Sequence, residues 1–481
     1  MPKPAKSAVP DPAAHAGATG DKAALRAVTP NWFGDAMSAC LREIPEPIGE
    51  EAGIQALAVG CSGGPDSMAL TLLLKHWATA RSLPLTALIV DHGLRQEASE
   101  EAARVSAWLQ DRGVRAVVLT HEGIRPQRNI QAEARRMRYD LMRDWCLAQD
   151  VPVLAVAHHL EDQAETFLLR LARGSGVDGL AAMAPVSDLP GDPYRGVTLI
   201  RPLLDIPQAE VRGVLEQAGW PFVLDPSNRD IRHARVRMRN LAGALAMEGL
   251  DPQRLARTAR NMRRARRALE KATESFLAAH AFVDPHGYAG VEKEAFAAAD
   301  EELSLRIMTR LLRLVSGGDY PLRLERLENL TASLRSGPPP GPRTLGGCRI
   351  ETRGSAVMIF REASAIGPSV AAQPSLIWDR RFRLGLTGAL TGLTVGRLGG
   401  DGVRQARAGD MTDPRFEELP GPVRAALPAL WRGDRLVAVA RPGEPESGHG
   451  GAWFDRVVFE GAAAWDRMSP GNVVARGMIL R

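Results

Sequence analysis

The chain is poor in cysteine and has no long apolar run. Its 481 residues include four cysteines, Cys40, Cys61, Cys146 and Cys348, each at least 21 positions from the next. Neither a C-x-x-C redox pair nor a zinc pattern can be written from them. Such usage fits a reducing cytoplasm, and Cys61, which ends an apolar run, reads as a small core residue. No stretch approaches the roughly 18 apolar residues that a membrane span needs, so no spanning segment is expected. Residues 1–30 are rich in Ala and Pro and carry scattered Lys3, Lys6, Lys22 and Arg26. They lack a continuous apolar core, which makes a poor signal peptide and reads as a disordered tail. No long internal repeat is present. Also missing is the lysine of the G-x-x-x-x-G-K-[ST] loop, which reaches the β/γ-phosphates when the terminal phosphoryl group is transferred.

What is present is a different glycine loop. Ser62-Gly63-Gly64-Pro65-Asp66-Ser67 lies between the apolar run Ala56 to Cys61 and the apolar-periodic Met68 to Trp77, an order that reads as strand, loop, helix. Two adjacent glycines let the backbone turn with no Cβ in the way, so successive N–H groups and the positive end of the next helix can face an anion. Ser62 and Ser67 add hydroxyl donors, and Asp66 is an acceptor able to hold Mg²⁺ beside a phosphate. A glycine-rich turn opening an ordinary helix is the plainer reading of the glycines alone. The flanking elements and the two serines favour a phosphate loop.

The length allows roughly three domains of about 150 residues, and 45% hydrophobic with 24% charged residues is the balance of a soluble globular protein. From Ala56 to about Pro226 short apolar runs alternate with amphipathic ones. Candidate strands are Ala56 to Cys61, Leu85 to Val90, Ala116 to Thr120 and Val153 to Ala157, and helical spacing fills Glu97 to Arg112 and Ile130 to Gln149. Such β/α alternation predicts a parallel sheet covered on both faces, with ligands bound outside the carboxyl ends of its strands. The clusters that carry chemistry fall at those ends or soon after. Asp91-His92-Gly93-Leu94-Arg95 follows one strand, and Asn129 to Tyr139 gathers Arg135, Arg136 and Arg138. In Ala157 to Gly176, two adjacent histidines, His158 and His159, precede a helix that presents Asp162 and Glu165 on one face beside Thr166. Two carboxylates so placed can hold either Mg²⁺ or the ammonium of an amine. Adjacent histidines at a strand end point in different directions, which disfavours zinc. Acids in a first helical turn also match the helix dipole, which accounts for Glu161 and Asp162 but not for His158 and Glu165.

Between Arg229 and Lys271 thirteen basic residues face four acidic ones. Arg257, Arg260, Arg264, Arg267 and Lys271 recur at three- and four-residue steps, a basic ridge along one helical face. It suits a phosphate backbone or is a solvated face; the scarcity of interleaved acids favours the former. Arg239 to Arg335 reads as mostly helical, with no strand signal before Phe282. Ser336 to Pro342 breaks the chain. Thr344 to Glu351 and Ser355 to Phe360 form a candidate hairpin, Ala363 to Pro374 a linker, and the glycine-rich remainder reads as containing strands.

In order and spacing, S-G-G-P-D-S, D-H-G-L-R, A-R-R-M-R-Y, A-H-H-L-E-D-Q-A-E-T and D-P-S-N (Asp225 to Asn228) together resemble the tRNA(Ile)-lysidine synthetase family of PP-loop ATP pyrophosphatases. The resemblance is strong over residues 55–240. It extends more loosely through T-L-G-G (Thr344 to Gly347), Trp378 to Leu384 and Leu427 to Trp431. It implies an α/β fold with a parallel-sheet, Rossmann-like PP-loop nucleotide domain at 49–240, after a tail and lead-in at 1–48. A mainly helical, tRNA-contacting domain at 241–362 that ends in a hairpin would follow, then a smaller C-terminal α+β tRNA-recognition domain at 376–481.

The implied reaction is ATP-dependent ligation of L-lysine to carbon-2 of the wobble cytidine in an isoleucine tRNA with a CAU anticodon, through an adenylated cytidine. The resemblance assigns ATP to Ser62, Gly63, Gly64, Pro65, Asp66, Ser67, Asp91, His92 and Arg135, with Mg²⁺ on Asp66. It assigns catalysis to Asp66, His158, Asp162 and Glu165, and lysine to Asp162 and Glu165. Arg235, Arg239, Arg257, Arg260, Arg264 and Arg267 are the tRNA-side candidates, and a homodimer is kept in view. Two positions depart from the family pattern: Glu161 stands where Asp is usual, and Val236 replaces the Asn of Arg-Asn-x-x-Arg. A thiolating or amidating PP-loop enzyme, or an RNA-binding protein with a decayed nucleotide site, are the alternatives. Thiolation usually needs paired cysteines, and glutamine-dependent amidation a Cys where Pro2 stands.

Overall fold

The computed structural model describes residues 30–44, 54–91, 96–121, 130–189, 196–224, 234–318, 322–337, 341–412, 414–442, 453–462 and 465. His92 and the D-P-S-N stretch lie outside them. The chain divides into two compact units, 1–264 and 265–481.

The first unit is built on six strands, β1 (Leu57–Gly60), β2 (Leu85–Asp91), β3 (Arg115–Thr120), β4 (Val153–Ala155), β5 (Val186–Asp188) and β6 (Thr198–Ile200), in the order β3-β2-β1-β4-β6-β5. All neighbours pair in parallel except β5 with β6. The parallel sheet and its first four strands agree with the sequence; the short β5–β6 edge pair was not anticipated. Alternate residues serve opposite faces, as a pleated strand requires. Leu57, Val59, Ala87, Ile89, Val153 and Ala155 enter one apolar cluster, whereas Ala58, Leu88, Leu154 and Leu199 enter another.

Helices cover both faces. α1 (Asn31–Arg42), α2 (Pro65–Thr79), α3 (Gln96–Gln110) and α7 (Gln208–Ala218) contribute to the first cluster, and α4 (Ile130–Ala148) to the second through Tyr139, Met142 and Cys146. α5 (Leu160–Leu171), α6 (Val177–Leu180), α8 (Ala234–Met247) and α9 (Pro252–His280) complete the helices that begin in this unit. α1 lies in what the sequence marked as a lead-in. Phe33, Met37 and Cys40 are buried at four- and three-residue steps, a stripe short enough to be masked by the Ala/Pro-rich stretch before it. Pro65 opens α2, where its missing N–H would have had no intrahelical acceptor.

Strand order reverses at β1. β2 pairs on one side and β4 on the other, so the loops leaving β1 and β4 open into the crevice where ligands bind in such sheets.

In the second unit the stretch expected to be mostly helical is interrupted by β7 (Ala281–Asp284) and β8 (Tyr288–Glu292). These join β9 (Arg343–Leu345), β10 (Cys348–Arg353) and β11 (Ala356–Arg361) in an antiparallel sheet of order β7-β8-β11-β10-β9. The connecting helices are α10 (Lys293–Ala298), α11 (Glu301–Ser316) and α12 (Leu324–Arg335). The expected strand Thr344 to Glu351 is two strands, because Gly346 and Gly347 both take positive φ (59° and 73°) and turn the chain back. Two smaller antiparallel sheets follow. One contains Val370–Ala371, Thr394–Arg397, Pro428–Arg432 and Arg435–Val439; the other contains Ser375–Trp378, Phe382–Leu386 and Phe454–Phe459.

Two of the loosely matched motifs meet in one buried cluster. Asp379 lies 2.9 Å from Arg361 Nη2 and 2.6 Å from Arg381 Nε, with all three side chains less than a tenth exposed. Arg361 also donates to Gly347 O, and Arg381 to Ala426 O. A Cβ on Gly347 would collide with the Arg361 guanidinium, which explains the second glycine of T-L-G-G. Removing one partner of a buried ion pair leaves the other charge uncompensated, at about 3–5 kcal/mol. Asp379→Ala is therefore expected to destabilise the second unit by that amount in urea titrations followed by tryptophan fluorescence. A loss below about 1 kcal/mol would mean that the guanidiniums are hydrated.

Candidate active site

The loop between β1 and α2 is shaped by Gly63. Its φ is +79°, and a Cβ there would lie 2.5 Å from Val105 Cγ2, so neither the conformation nor the space admits a side chain. Its carbonyl accepts from Val223 N at 2.8 Å. Gly64 precedes α2, whose first turn receives no side-chain cap, so the positive helix end stays open to an anion. Ser67 spends its hydroxyl on Gly64 O (2.9 Å), with Ser62 Oγ 3.3 Å away. Ser67 therefore braces the loop from below, while Ser62 is exposed.

The starts of three helices meet beside this loop. Asp66 is the second residue of α2, Glu161 and Asp162 are the second and third of α5, and Gln208 is the first of α7. Between them sits His159, its side chain 3% exposed. His159 Nδ1 lies 2.9 Å from Glu161 Oε2, and its Nε2 lies 3.4 Å from Asp162 Oδ2 and 3.7 Å from Asp66 Oδ2. The Gln208 side-chain amide donates to Asp66 Oδ2 (3.0 Å) and faces His159 Nε2 at 3.0 Å, and its backbone N–H donates to Glu161 Oε2 (2.9 Å). His159 N donates to Asp162 Oδ2 at 3.1 Å. Burial works against a charge on His159, but Glu161, Asp162 and Asp66 outweigh it and raise its pKa above the ordinary histidine value. Burial pushes Glu161 the opposite way from its hydrogen bonds with His159 and Gln208 N, which prevail and hold it below the carboxylate range.

His158 has the reverse environment. Burial, with the positive charges of Arg201, Arg135 and Arg235, holds its pKa well below the usual value, so the ring is neutral at neutral pH. Its Nδ1 is buried without a hydrogen-bond partner among the described residues. Glu165 is buried on the next turn. Burial raises its pKa despite a 2.8 Å contact from Arg239 Nε to Oε1. Its Oε2, Thr166 Oγ1 and Asp66 Oδ1 likewise have no hydrogen-bond partner among the described residues. Arg212 Nε stands 3.6 Å from Asp66 Oδ1.

The structure thus brings Asp66, Asp162 and Glu165 to one region with the loop residues, and gathers Arg135 and Arg235 around His158. Asp91 is buried at the end of β2, where it accepts from Ser99 Oγ at 2.5 Å. Arg135, exposed, donates to Tyr139 Oη and lies over its ring. Arg239, half exposed, pairs through Nε with Glu165 Oε1. Arg257, Arg260, Arg264 and Arg267 are exposed on α9, although Arg260 is paired with Asp205 at 2.7 Å. His159 and Gln208 were not singled out from sequence. Adjacent histidines gave a weak signal for the first, and nothing local marked the second, 49 positions away.

The family described as PP-loop domain matches residues 38–245. Among curated relatives, the tRNA(Ile)-lysidine synthase of Ruegeria pomeroyi is 37% identical over 394 residues, covering 80% of this chain and 88% of the relative. The synthase from the Wolbachia of Brugia malayi is 34% identical and covers 69% and 77% of the two chains. That of Methylobacterium nodulans is 39% identical, over 65% of this chain and 91% of its own. With the PP-loop sheet and its switch-point site in place, and relatives of this identity matched over most of their length, the chain belongs to the tRNA(Ile)-lysidine synthase family.

Proposed function

We propose that the protein ligates L-lysine to carbon-2 of the wobble cytidine in the CAU anticodon of an isoleucine tRNA, with ATP cleaved to AMP and pyrophosphate. The observation that carries this reading is the set of buried polar atoms without a hydrogen-bond partner among the described residues, Asp66 Oδ1, His158 Nδ1, Glu165 Oε2 and Thr166 Oγ1, at the start of α2 and along the first two turns of α5, beside an open phosphate loop. Buried polar groups are normally satisfied, so these atoms are poised for substrates.

In the first step the carbonyl oxygen of the cytidine attacks the α-phosphorus and pyrophosphate leaves. The open end of α2 and the N–H groups around Gly63 and Gly64 favour the departing negative charge. Asp66 Oδ1 is a hard oxygen suited to Mg²⁺, which is commonly held by one or two carboxylates plus phosphate oxygens and water. When bound there the ion would screen the phosphate charge.

In the second step the lysine amine attacks carbon-2 and AMP leaves. An ammonium is not a nucleophile, so its proton must first go to a base. Glu165 suits that role: burial raises its pKa above the usual carboxylate value, and Oε2 has no hydrogen-bond partner among the described residues while Arg239 holds Oε1. His158, kept neutral, suits a hydrogen bond to the activated base. Asp162 supplies a second charge for the ammonium. The exposed arginines of α9 offer positive charge to the RNA backbone.

Incubation with ATP, Mg²⁺, labelled lysine and a CAU-bearing isoleucine tRNA should place label in a modified cytidine after nuclease digestion; absence of label with ATP still cleaved to AMP would send the reading to another acceptor. Asp66→Ala is expected to lower adenylation at least 100-fold, about 3 kcal/mol of barrier, while tRNA affinity stays within twofold. Charge reversal at Arg257 and Arg264 should weaken tRNA binding and flatten its log–log salt slope by about one for each phosphate no longer neutralised. An unchanged slope would make that helix a solvated face.

A further inference from the structure

The hydrogen bonds at the three helix starts form a closed circuit whose members sit behind the proposed reacting groups. Gln208 gives one amide hydrogen to Asp66 Oδ2 and presents the other to His159 Nε2, each at 3.0 Å. The contact to the Asp66 carboxylate requires the amide nitrogen, not its oxygen, to face inward, and the contact to His159 then uses an unprotonated Nε2. A flipped amide would set its oxygen against the Asp66 carboxylate. With Nε2 as acceptor, the ring hydrogen is on Nδ1 and goes to Glu161 Oε2 at 2.9 Å. The same glutamate oxygen takes the backbone N–H of Gln208 at 2.9 Å, so Gln208 is fixed at both its backbone and its side chain. Leu160 N, at the start of α5, also donates to Ile206 O at 3.0 Å, locking the two segments together.

Asp66 has a competing partner. Arg212, four positions along α7 from Gln208 and about half exposed, holds its Nε 3.6 Å from Oδ1, too long for a hydrogen bond. A carboxylate this close to a half-exposed guanidinium gains most from a two-point ion pair. The amide grip on Oδ2 opposes that swing and leaves Oδ1 open.

We propose that Gln208, held by Glu161 and His159, is a positioning residue that aims the Asp66 carboxylate toward the nucleotide and keeps it from closing to a two-point, hydrogen-bonded pair with Arg212. The inference rests on the adenylation reading above. It also gives the departure from the family pattern at residue 161 a role, because the longer glutamate side chain spans from α5 to both the ring and the α7 backbone.

The test compares Gln208→Met, which keeps length and loses both donors, with Gln208→Glu, which keeps shape and replaces a donor by a repelling charge. Each is measured alone and combined with Arg212→Met, by tRNA-dependent ATP–pyrophosphate exchange, tRNA affinity and melting temperature. Misplacement of a reacting group by about 1 Å lowers rates by up to about 100-fold. Gln208→Met should therefore slow exchange about 10- to 100-fold at saturating ATP and tRNA, with tRNA affinity within twofold, and Gln208→Glu should be slower still. Adding Arg212→Met to Gln208→Met should recover at least about a third of the lost rate constant on a logarithmic scale, since the competitor is gone. A role in packing alone would make the isosteric Gln208→Glu the milder change and leave the double variant no better than the single one. Either of those results, or wild-type exchange in Gln208→Met, overturns the proposal. If the wild-type protein itself shows no exchange, the adenylation reading fails. In that case Asp66 reorientation toward Arg212, read from the crystal structure of Gln208→Met, still decides the positioning claim: an unmoved carboxylate overturns it.

Discussion

The site depends on one electrostatic constraint: three carboxylates, Asp66, Glu161 and Asp162, surround a single imidazole. Like charges so close repel, and burial makes the repulsion stronger. Their placement supplies the remedy. Each carboxylate belongs to the first turn of α2 or α5, where the positive helix end favours an anion. His159 and Gln208 fill the space between them with donors. The parallel sheet makes this possible, because the order reversal at β1 aims α2 and α5 into the same crevice. In the proposed chemistry Asp66 serves the nucleotide and Asp162 the amine, while His158, one residue before His159, lies among arginines. Adjacent histidines are therefore driven in opposite directions, His159 upward and His158 downward in pKa.

Much of this was legible because the signals are local. The glycine loop, the alternation of strands and helices, and the Asp162/Glu165 spacing are each properties of a short window. The paired glycines read as a tight turn between strand and helix, and the structure adds why Gly63 admits no side chain: its positive φ and the closeness of Val105. What escaped was set by pairing across the chain. Gln208 reaches Asp66 over 142 positions, and Asp205 pairs with Arg260 over 55, so no window around either residue shows the partner. α1 escaped for a different reason: its three buried side chains follow a long Ala/Pro-rich stretch whose composition dominates the reading.

The second unit shows how a motif can carry architecture. T-L-G-G provides a turn whose second glycine clears the Arg361 guanidinium, and Asp379 in W-D-R-R-F-R-L balances Arg361 and Arg381. Positive φ at Asp379 and Arg380 (49° and 56°) is unfavourable for residues with side chains, and the ion pairs offset it. These residues hold the five-stranded sheet to the hairpin Ser375–Leu386.

The central claim is that the crevice activates the RNA before the amine arrives. It is tested most directly by omitting lysine: the protein is mixed with α-labelled ATP, Mg²⁺ and the CAU-bearing isoleucine tRNA, and labelled AMP on the RNA is followed before and after lysine is added. The account predicts AMP held on the anticodon cytidine and released when lysine enters. Absence of an AMP-bearing RNA, with ADP formed in its place, would contradict it.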